Sequence, residues 1–381
     1  MASGNPQTRD MLCMLKRLVE IESPSQDKTA VDKVGNLVAE ECHRLGAEVI
    51  IHPNEERGNL VEARFFPSLN SLPGNETHTE NHILMLCHMD TVFPIGTLTK
   101  MPYMEKDDKV FGPGVSDMKG GIVVTLMALK AALEKGSLVV PVTALFTPDE
   151  EIGSGSSKLL IEKLASESSL VLVLEPALVD GSLKTWRKGV GNYTIRVRGR
   201  SAHAGGDHEK GRNAIEELAH LVIAIQGLTD YDKGSTLNVG VIRGGIASNV
   251  VPDEASMEVD LRVLQPGEAE RIHTAILGLK PVLAGTSIEV TGRLHSLPMV
   301  FDHTMKTTFE MVKEIARKEN IELKAGGTGG GSDANFVAQL GIPVMDGLGP
   351  AGGEYHSERE FIFKDSLIER VRLLTAILIN W

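Results

Sequence analysis

The chain has 381 residues, of which 42% are hydrophobic and 24% are charged, and 51 acidic against 39 basic residues give a net charge of −12. This length predicts roughly two domains, and the composition is ordinary for a globular protein. The acidic balance argues against partners that require a basic footprint, so we expect neither a nucleic acid nor a membrane as partner. No apolar run approaches the roughly 18 residues of a membrane helix.

The compartment is predicted from the N-terminus and the cysteines. Residues 11–19 have the apolar spacing of an amphipathic helix, and no basic start with a long apolar core marks a signal peptide. The three cysteines, Cys13, Cys42 and Cys87, have no metal-binding or disulfide spacing. A reducing, cytoplasmic location is the simplest interpretation, although a signal removed before residue 1 would leave no trace in the sequence.

The first 180 residues alternate patterns typical of strands and helices. Continuous apolar runs at 82–88, 141–147 and 169–175 predict strands that are buried on both faces. A helix is predicted at 28–45 and a loop at 67–80, before the first run, and a long helix at 118–135, between the first two runs. This alternation implies a parallel sheet covered by helices.

A different pattern begins near residue 190. The segment "NYTIRVRG" alternates apolar and polar residues, as a strand with one solvated face does. The order over 190–296 is β-α-β-β-α-β, the ferredoxin-like split unit. We therefore predict an α/β fold with a mixed, mostly parallel sheet covered by helices. The domain with this sheet comprises residues 1–189 and 297–381 and is expected to hold the functional site. A ferredoxin-like α+β domain, residues 190–296, is inserted into it.

Histidine and carboxylate side chains occur where the predicted strands end. Ligands of an open parallel sheet bind in the crevice beyond the carboxyl ends of its strands, so these side chains should converge there. A lone strand-end carboxylate is usually a solvated loop residue. Four loops that each supply a histidine or a carboxylate instead indicate a shared site. The strand-end set is His88, Asp90, Glu150, Glu151 and Glu175, and Asp117, which comes just before a predicted helix, is expected to join it.

The clustered carboxylates predict a cation site, since like charges at close range repel strongly. One or two divalent cations would resolve the repulsion. Mixed imidazole and carboxylate ligands suit zinc best, with manganese or cobalt as alternatives. Asp90 has the position of a residue that orients His88. His356, on a later loop, is by pattern alone more typical of polar surface.

Seven motifs occur in the order found in one enzyme family. Among them are "HMDTVFPIGT", "GPGVSDMKGG", "TPDEEIGSGSS", "TGGGSDANF" and "YHSERE". Together they resemble the M20 family of co-catalytic zinc peptidases, and most closely its glutamate carboxypeptidase (carboxypeptidase G-like) branch. The resemblance covers nearly the whole chain and implies two zinc ions per subunit.

The resemblance also implies a role for each residue of the cluster. Asp117 would bridge the two zinc ions and precede a cis peptide bond. Glu151 and His356 would complete one site, and His88 and Glu175 the other. Glu150 would be the general base acting on a metal-bridging water, and Asp90 would orient His88.

The inserted domain would be the family's lid and dimerisation domain. By the resemblance, His203 would reach the partner subunit's active site, Asn249 and Arg262 would lie near the substrate, and Arg293 would bind its C-terminal carboxylate. On pattern alone, Arg262 is more typical of a solvated strand face. The Gly-rich segment "GGTGGGSDANF" (326–336) lacks the Lys-Ser/Thr ending of a phosphate loop, and no strand is predicted to run into it. Gly330 and Gly331 are therefore interpreted as backbone near the substrate.

Three functions remain to be compared. The first is a homodimeric carboxypeptidase that releases a C-terminal residue, with glutamate expected, from short peptides or N-acyl conjugates. The second is an N-acyl-amino-acid deacylase similar to acetylornithine deacetylase or succinyl-diaminopimelate desuccinylase. The third is a non-enzymatic binding relative, against which the complete set of ligands and Glu150 argues.

Overall fold

The computed structural model describes residues 6–67, 82–136 and 138–381, so the predicted loop 67–80 lies outside the described residues except for Pro67. The described α-helices are α1 (Pro6–Val19), α2 (Lys28–Arg44), α3 (Gly120–Glu134), α4 (Lys158–Ser166), α5 (Ala214–Gln226), α6 (Pro266–Leu277), α7 (His303–Lys318), α8 (Ala334–Gln339) and α9 (Lys364–Asn380). The described helices include none that is both long and apolar enough to cross a membrane.

The described strands are β1 (Glu48–His52), β2 (Leu60–Phe65), β3 (Ile83–His88), β4 (Met104–Lys106), β5 (Lys109–Phe111), β6 (Val142–Thr147), β7 (Leu170–Val173), β8 (Pro176–Ala177), β9 (Leu183–Arg187), β10 (Gly189–Arg198), β11 (Ala202–His203), β12 (Thr236–Gly244), β13 (Val250–Val251), β14 (Glu254–Val263), β15 (Ser287–Ser296), β16 (Ala325–Thr328), β17 (Val344–Asp346), β18 (Gly349–Gly353) and β19 (Phe361–Phe363).

The chain forms two compact units. The first comprises Met1–Trp186, Phe301–Gly327 and Ser332–Trp381, and the second comprises Arg187–Val300 and Thr328–Gly331. The predicted domain limits lie within a few residues of the main transitions, and their assignment as functional domains stays a prediction.

The first unit is built on a mixed sheet. Eight of the described strands form it in the order β1-β2-β6-β3-β7-β17-β9-β16. The central strands β6, β3, β7 and β17 run parallel to one another. The pairs β1-β2, β2-β6 and β17-β9 are antiparallel. Every residue of β3 and β6 is buried, because helices cover both faces of a parallel sheet. The predicted fold class is confirmed.

Helix α3 begins unusually close to the sheet. A Cβ atom on Gly121 would lie 2.1 Å from the carbonyl oxygen of Leu174, so only glycine permits this approach. Ten of the residues of α3 are buried, and the helix packs against α9. The segment that precedes α3, which carries Asp117, is thereby held beside the end of β7.

A second sheet of short strands was not predicted. Five described strands form it in the order β4-β5-β19-β18-β8. The loop of its β18-β19 hairpin carries His356. Strand β19 pairs with β5, which precedes the Asp117 segment, and β18 pairs with β8, which directly follows Glu175. This sheet therefore delivers His356 to residues that lie far away in the sequence.

The second unit contains a four-stranded antiparallel sheet in the order β12-β14-β10-β15. With α5 and α6 between its strands in the chain, this is the predicted ferredoxin-like arrangement. Buried side chains of α5, such as Leu218 and Leu221, pack with the inward residues of β10 and β14, such as Ile195 and Met257. The side chain of Asn213 caps α5 by accepting from the backbone N–H groups of Ile215 and Glu216.

Candidate metal centre

Six predicted residues meet at the carboxyl edge of the parallel strands. His88 ends β3, Glu150 and Glu151 follow β6, and Glu175 follows β7. Because β3 is parallel to both β6 and β7, these three strand ends face the same edge. Asp117 lies on the segment before α3, and His356 lies on the loop of the β18-β19 hairpin.

Asp117 is the centre of this cluster. Its Oδ1 lies 3.1 Å from Nε2 of His88, and its Oδ2 lies 3.3 Å from Nε2 of His356. Nε2 of His356 is also 3.2 Å from Oε2 of Glu151, and Nε2 of His88 is 3.5 Å from Oε1 of Glu175. One carboxylate thus spans two imidazoles, each of which faces a second carboxylate.

The pKa values show how strongly these groups interact. Burial raises the pKa of Glu151 to about 7, with the charge of Asp117 adding to the effect. Burial and then the charge of Glu175 raise the pKa of Glu150 well above its usual range. The pKa of Asp117 moves down despite its burial, because His356 and His88 donate hydrogen bonds to it. Ionising every carboxylate here requires compensating positive charge.

The residues fit a pair of divalent cations. Oε1 of Glu151 is buried and has no hydrogen-bond partner among the described residues, which is unusual for a carboxylate oxygen. Ligand atoms of two groups, His88 with Asp117 and Glu151 and His88 with Glu150 and Glu175, lie within 4.8 Å of one another. Imidazole and carboxylate donors suit zinc and its neighbours in the first transition row.

Asp90 supports the cluster in two ways. Nδ1 of His88 donates to the backbone carbonyl of Asp90 at 3.0 Å, and the nearest carboxylate oxygen of Asp90 is 3.4 Å away. A carbonyl can only accept, so when the imidazole is neutral this bond keeps the proton on Nδ1 and leaves the lone pair of Nε2 for a metal. The carboxylate itself accepts from the backbone N–H groups of Glu150 and Glu151, both at 3.2 Å, and from Ser25.

Three buried residues near the cluster were not predicted. Asp333 accepts a hydrogen bond from Ser154, and burial raises its pKa to about 7. Nζ of Lys184 lies 3.8 Å from Oε2 of Glu175. Glu360 accepts from backbone N–H groups around Asp117. Asp333 and Glu360 belong to motifs quoted above, whereas the single lysine in β9 gave no signal in the sequence.

The Asp117 segment has the backbone geometry implied by the resemblance. The peptide bond between Asp117 and Met118 is cis. Gly114, three residues earlier, has a φ of +69°, in the left-handed region. The hairpin loop opposite also uses this region at His356, whose φ is +58° and whose imidazole is about half exposed.

The predicted substrate-binding residues all belong to the second unit. Nδ1 of His203 accepts from the backbone N–H groups of Gly205 and Gly206, both at 3.0 Å, so a neutral His203 carries its proton on Nε2. Arg262 is paired with Asp260 through Nε at 2.9 Å and Nη2 at 2.9 Å. Arg293 lies on the exposed part of β15, and Asn249 accepts from the backbone of Ala204.

The Gly-rich segment differs from its description by sequence. The expectation that no strand runs into it is wrong, because β16 (Ala325–Thr328) leads directly into the segment. A Cβ atom on Gly327 would lie 2.1 Å from the ring of Trp186, so this glycine serves packing. In the second unit, the carbonyls of Gly330 and Gly331 accept from Nη1 of the buried Arg187, at 3.3 and 2.9 Å.

Comparison with known proteins gives the family. Residues 84–380 match the peptidase family M20/M25/M40. Carboxypeptidase G2 of Pseudomonas sp. (strain RS-16) is 30% identical over 382 residues, covering 96% of this chain and 87% of that protein. Acetylornithine deacetylase of Klebsiella pneumoniae (strain 342) is 30% identical over 299 residues, 73% of each.

The fold agrees with this match. The structure of the M20 family metallo-carboxypeptidase Sso-CP2 from Sulfolobus solfataricus has a TM-score of 0.73 at 19% identity, with 98% of both chains covered. The chain therefore belongs to the M20/M25/M40 peptidase family. It is an enzyme of the metallopeptidase and amidohydrolase class, and the resemblance drawn from its motifs is confirmed.

Proposed function

We propose that the chain is a dinuclear metal-dependent carboxypeptidase. It hydrolyses the amide bond before a C-terminal amino acid, with glutamate preferred, in short peptides or N-acyl conjugates. The observation that carries this proposal is the carboxylate of Asp117 between two imidazoles, each of which faces another carboxylate. The similarity to carboxypeptidase G2 over 96% of the chain supports a carboxypeptidase reaction.

The metal assignment follows from the same distances. Asp117 would be shared by two zinc ions, with His356 and Glu151 on one side and His88 and Glu175 on the other; manganese and cobalt suit the same donors. When bound, the ions supply Lewis acidity that polarises the scissile carbonyl and acidifies water. Asp90 keeps the donor nitrogen of His88 available by holding the proton on Nδ1.

Glu150 is proposed as the general base. Its carboxylate is placed by the bond from its backbone N–H to Asp90 and lies beside His88 and Glu175. Its pKa is raised, first by burial, so its carboxylate accepts a proton more readily than an exposed carboxylate does. The base accepts a proton from the attacking water as the C–O bond forms. It returns that proton to the leaving nitrogen as the C–N bond breaks.

Arg293 is proposed as the group that binds the substrate's C-terminal carboxylate. A guanidinium fork pairs with a free carboxylate through two hydrogen bonds. Arg262, the other candidate arginine, is already paired in this way with Asp260. Arg293 and then Arg262 lower the pKa of His295 through their charges, after the larger effect of burial. This strand face is therefore positively charged and suits an anionic group.

A substrate panel tests this assignment. We expect zinc-loaded protein to hydrolyse peptides and N-acyl conjugates that end in free glutamate, and their C-terminal amides much more slowly. Arg293→Ala should lower kcat/KM for the free acids by about 10–100-fold, since a charge-assisted bond contributes about 1.5–3 kcal/mol. For the C-terminal amides, Arg293→Ala should have the same kcat/KM as the parent. Arg317→Ala, which removes an exposed arginine from α7, is the matched control.

Two outcomes of the panel argue against the proposal. Equal rates for the acids and amides, with parental rates for Arg293→Ala, mean that the C-terminal carboxylate is not recognised by this residue. Preferential hydrolysis of N-acetyl or N-succinyl amino acids identifies the second candidate, an N-acyl-amino-acid deacylase. The similarity to acetylornithine deacetylase over 73% of the chain keeps that candidate in the comparison.

We also propose that the chain is a homodimer formed through the second unit. Strand β12 lies at an edge of the four-stranded sheet. Large apolar side chains near this edge and on α5 are exposed, including Ile246 at 91% and Ile223 at 73%. Open strand edges and exposed apolar groups are features that association covers. His203, with its proton on Nε2, is suited to donate a hydrogen bond to the oxyanion in the partner's site.

Mixing two inactive variants tests whether His203 acts across subunits. Glu150→Gln and His203→Ala chains are unfolded together, refolded and assayed. A mixed dimer then has one site with both residues intact, so we expect about one quarter of parental activity from random pairing. If His203 serves its own subunit, or if light scattering shows a monomer, mixing restores no activity.

A further inference from the structure

The buried side chain of Glu360 lies beneath the segment that carries Asp117. Glu360 is fully buried, four residues after His356 in the β18-β19 hairpin. Its Oε1 accepts from the backbone N–H groups of Ser116 at 2.8 Å and Asp117 at 3.0 Å. Its Oε2 lies 3.3 Å from the backbone N–H of Gly114. One carboxylate therefore satisfies three backbone donors of a segment about 245 residues away.

These bonds are the main polar support of an irregular segment. Residues Val115–Lys119 leave helical geometry at Asp117 and Met118. Ser116 and Asp117 lie in the first turn of this segment, where backbone N–H groups have no intrahelical acceptor. Without Glu360, three buried donors would lose their acceptor, and an unsatisfied buried donor costs roughly 1–3 kcal/mol.

The hairpin and the Asp117 segment also touch directly. A Cβ atom on Gly352, in β18, would lie 2.9 Å from Oγ of Ser116. Glu360 is tied to its own loop, since its backbone N–H donates to the carbonyl of Ser357 at 3.1 Å. The carboxylate thus joins the loop that carries His356 to the segment that carries Asp117.

We propose that Glu360 is a positioning residue for the metal centre. It sets the backbone of Asp117 and the loop of His356 relative to each other, so that one oxygen of Asp117 faces each imidazole. Because its carboxylate oxygens accept from backbone N–H groups, Glu360 would act through the ligands and would not bind the metal itself. The inference rests on the proposed metal site and adds a residue that acts through two of the ligands.

The test measures metal affinity directly. Metal-free parent, Glu360→Gln and Glu358→Gln proteins compete for zinc with a chromogenic chelator. Glutamine keeps one acceptor but presents an N–H₂ group to Gly114, so we expect zinc affinity about tenfold weaker or more, as for other residues that orient ligands. Glu358→Gln makes the same change on the same loop at an exposed position. It should stay within about twofold of the parent.

The outcomes separate this inference from the metal assignment. A parent that takes up no zinc overturns both. A parent that binds zinc, with Glu360→Gln equally tight, overturns the role of Glu360 alone. If Glu360→Gln does not fold, hydrogen exchange of the metal-free parent decides. The amides of Ser116 and Asp117 should exchange about 100-fold more slowly than that of Glu358, and equal rates contradict the proposal.

Discussion

Replacing Glu150 by glutamine is expected to lower kcat by about 10²–10⁴-fold, the usual contribution of a general base, while zinc content stays at the parental level. Glutamine has nearly the same shape as glutamate, and its backbone N–H still reaches Asp90. Its amide cannot accept a proton from water, so the loss falls on kcat. Steady-state kinetics with a substrate that ends in glutamate, together with metal analysis of the same samples, measure both quantities.

The controls make the result specific to Glu150. Glu322→Gln removes an exposed carboxylate beside Lys324 and should leave kcat unchanged. Glu150→Ala should be as inactive as Glu150→Gln, again with full zinc. If either variant loses zinc, Glu150 is a ligand, as its position beside His88 and Glu175 also allows. If both variants turn over at the parental rate, another group is the base.

Removing the metal is expected to make stability strongly dependent on pH. Burial raises the pKa of Glu151 and of Asp333 to about 7, and that of Glu360 to about 8. These carboxyls ionise near pH 4 in the unfolded chain, so between about pH 4 and 8 the folded chain binds more protons. Its stability must therefore fall as the pH rises through this window.

Thermal unfolding at several pH values measures this effect. Each carboxyl contributes about 1.4 kcal/mol per pH unit below its folded pKa. We expect the Tm of metal-free protein to fall by about 5 °C or more between pH 6 and 8. Zinc-loaded protein should vary much less, since the cations replace the protons. A metal-free Tm that stays constant or rises over this range contradicts the proposed crowding of carboxyl groups.

The sequence predicted the parts of the fold that carry their own periodicity. The strands β3, β6 and β7 are continuous apolar runs, and β10 alternates, so the parallel core of the first sheet and the antiparallel sheet of the second unit could be predicted from local pattern. The strand-end positions then placed His88, Glu151 and Glu175 at one edge without knowledge of the strand order. The cytoplasmic location stays a prediction.

Other features depend on pairing between distant short segments. Strands β8 and β18 have two and five residues, and β18 reads "GPAGG", which has no strand periodicity. The proximity of His356 to Asp117 therefore came only from the family resemblance. The support by Glu360 was missed for the same reason, because a buried carboxylate and a surface one look alike in a sequence. The ion pair of Arg262 with Asp260 also could not be predicted from the sequence pattern.

The position of β17 determines when this enzyme can finish folding. Residues Val344–Asp346 form the strand between β7 and β9, which are synthesised more than 150 positions earlier. On the ribosome, the parallel edge of β7 has no neighbour on that side until the last tenth of the polypeptide has begun to emerge. The nascent chain must keep this apolar edge from pairing with other molecules, so late translation is its most aggregation-sensitive stage.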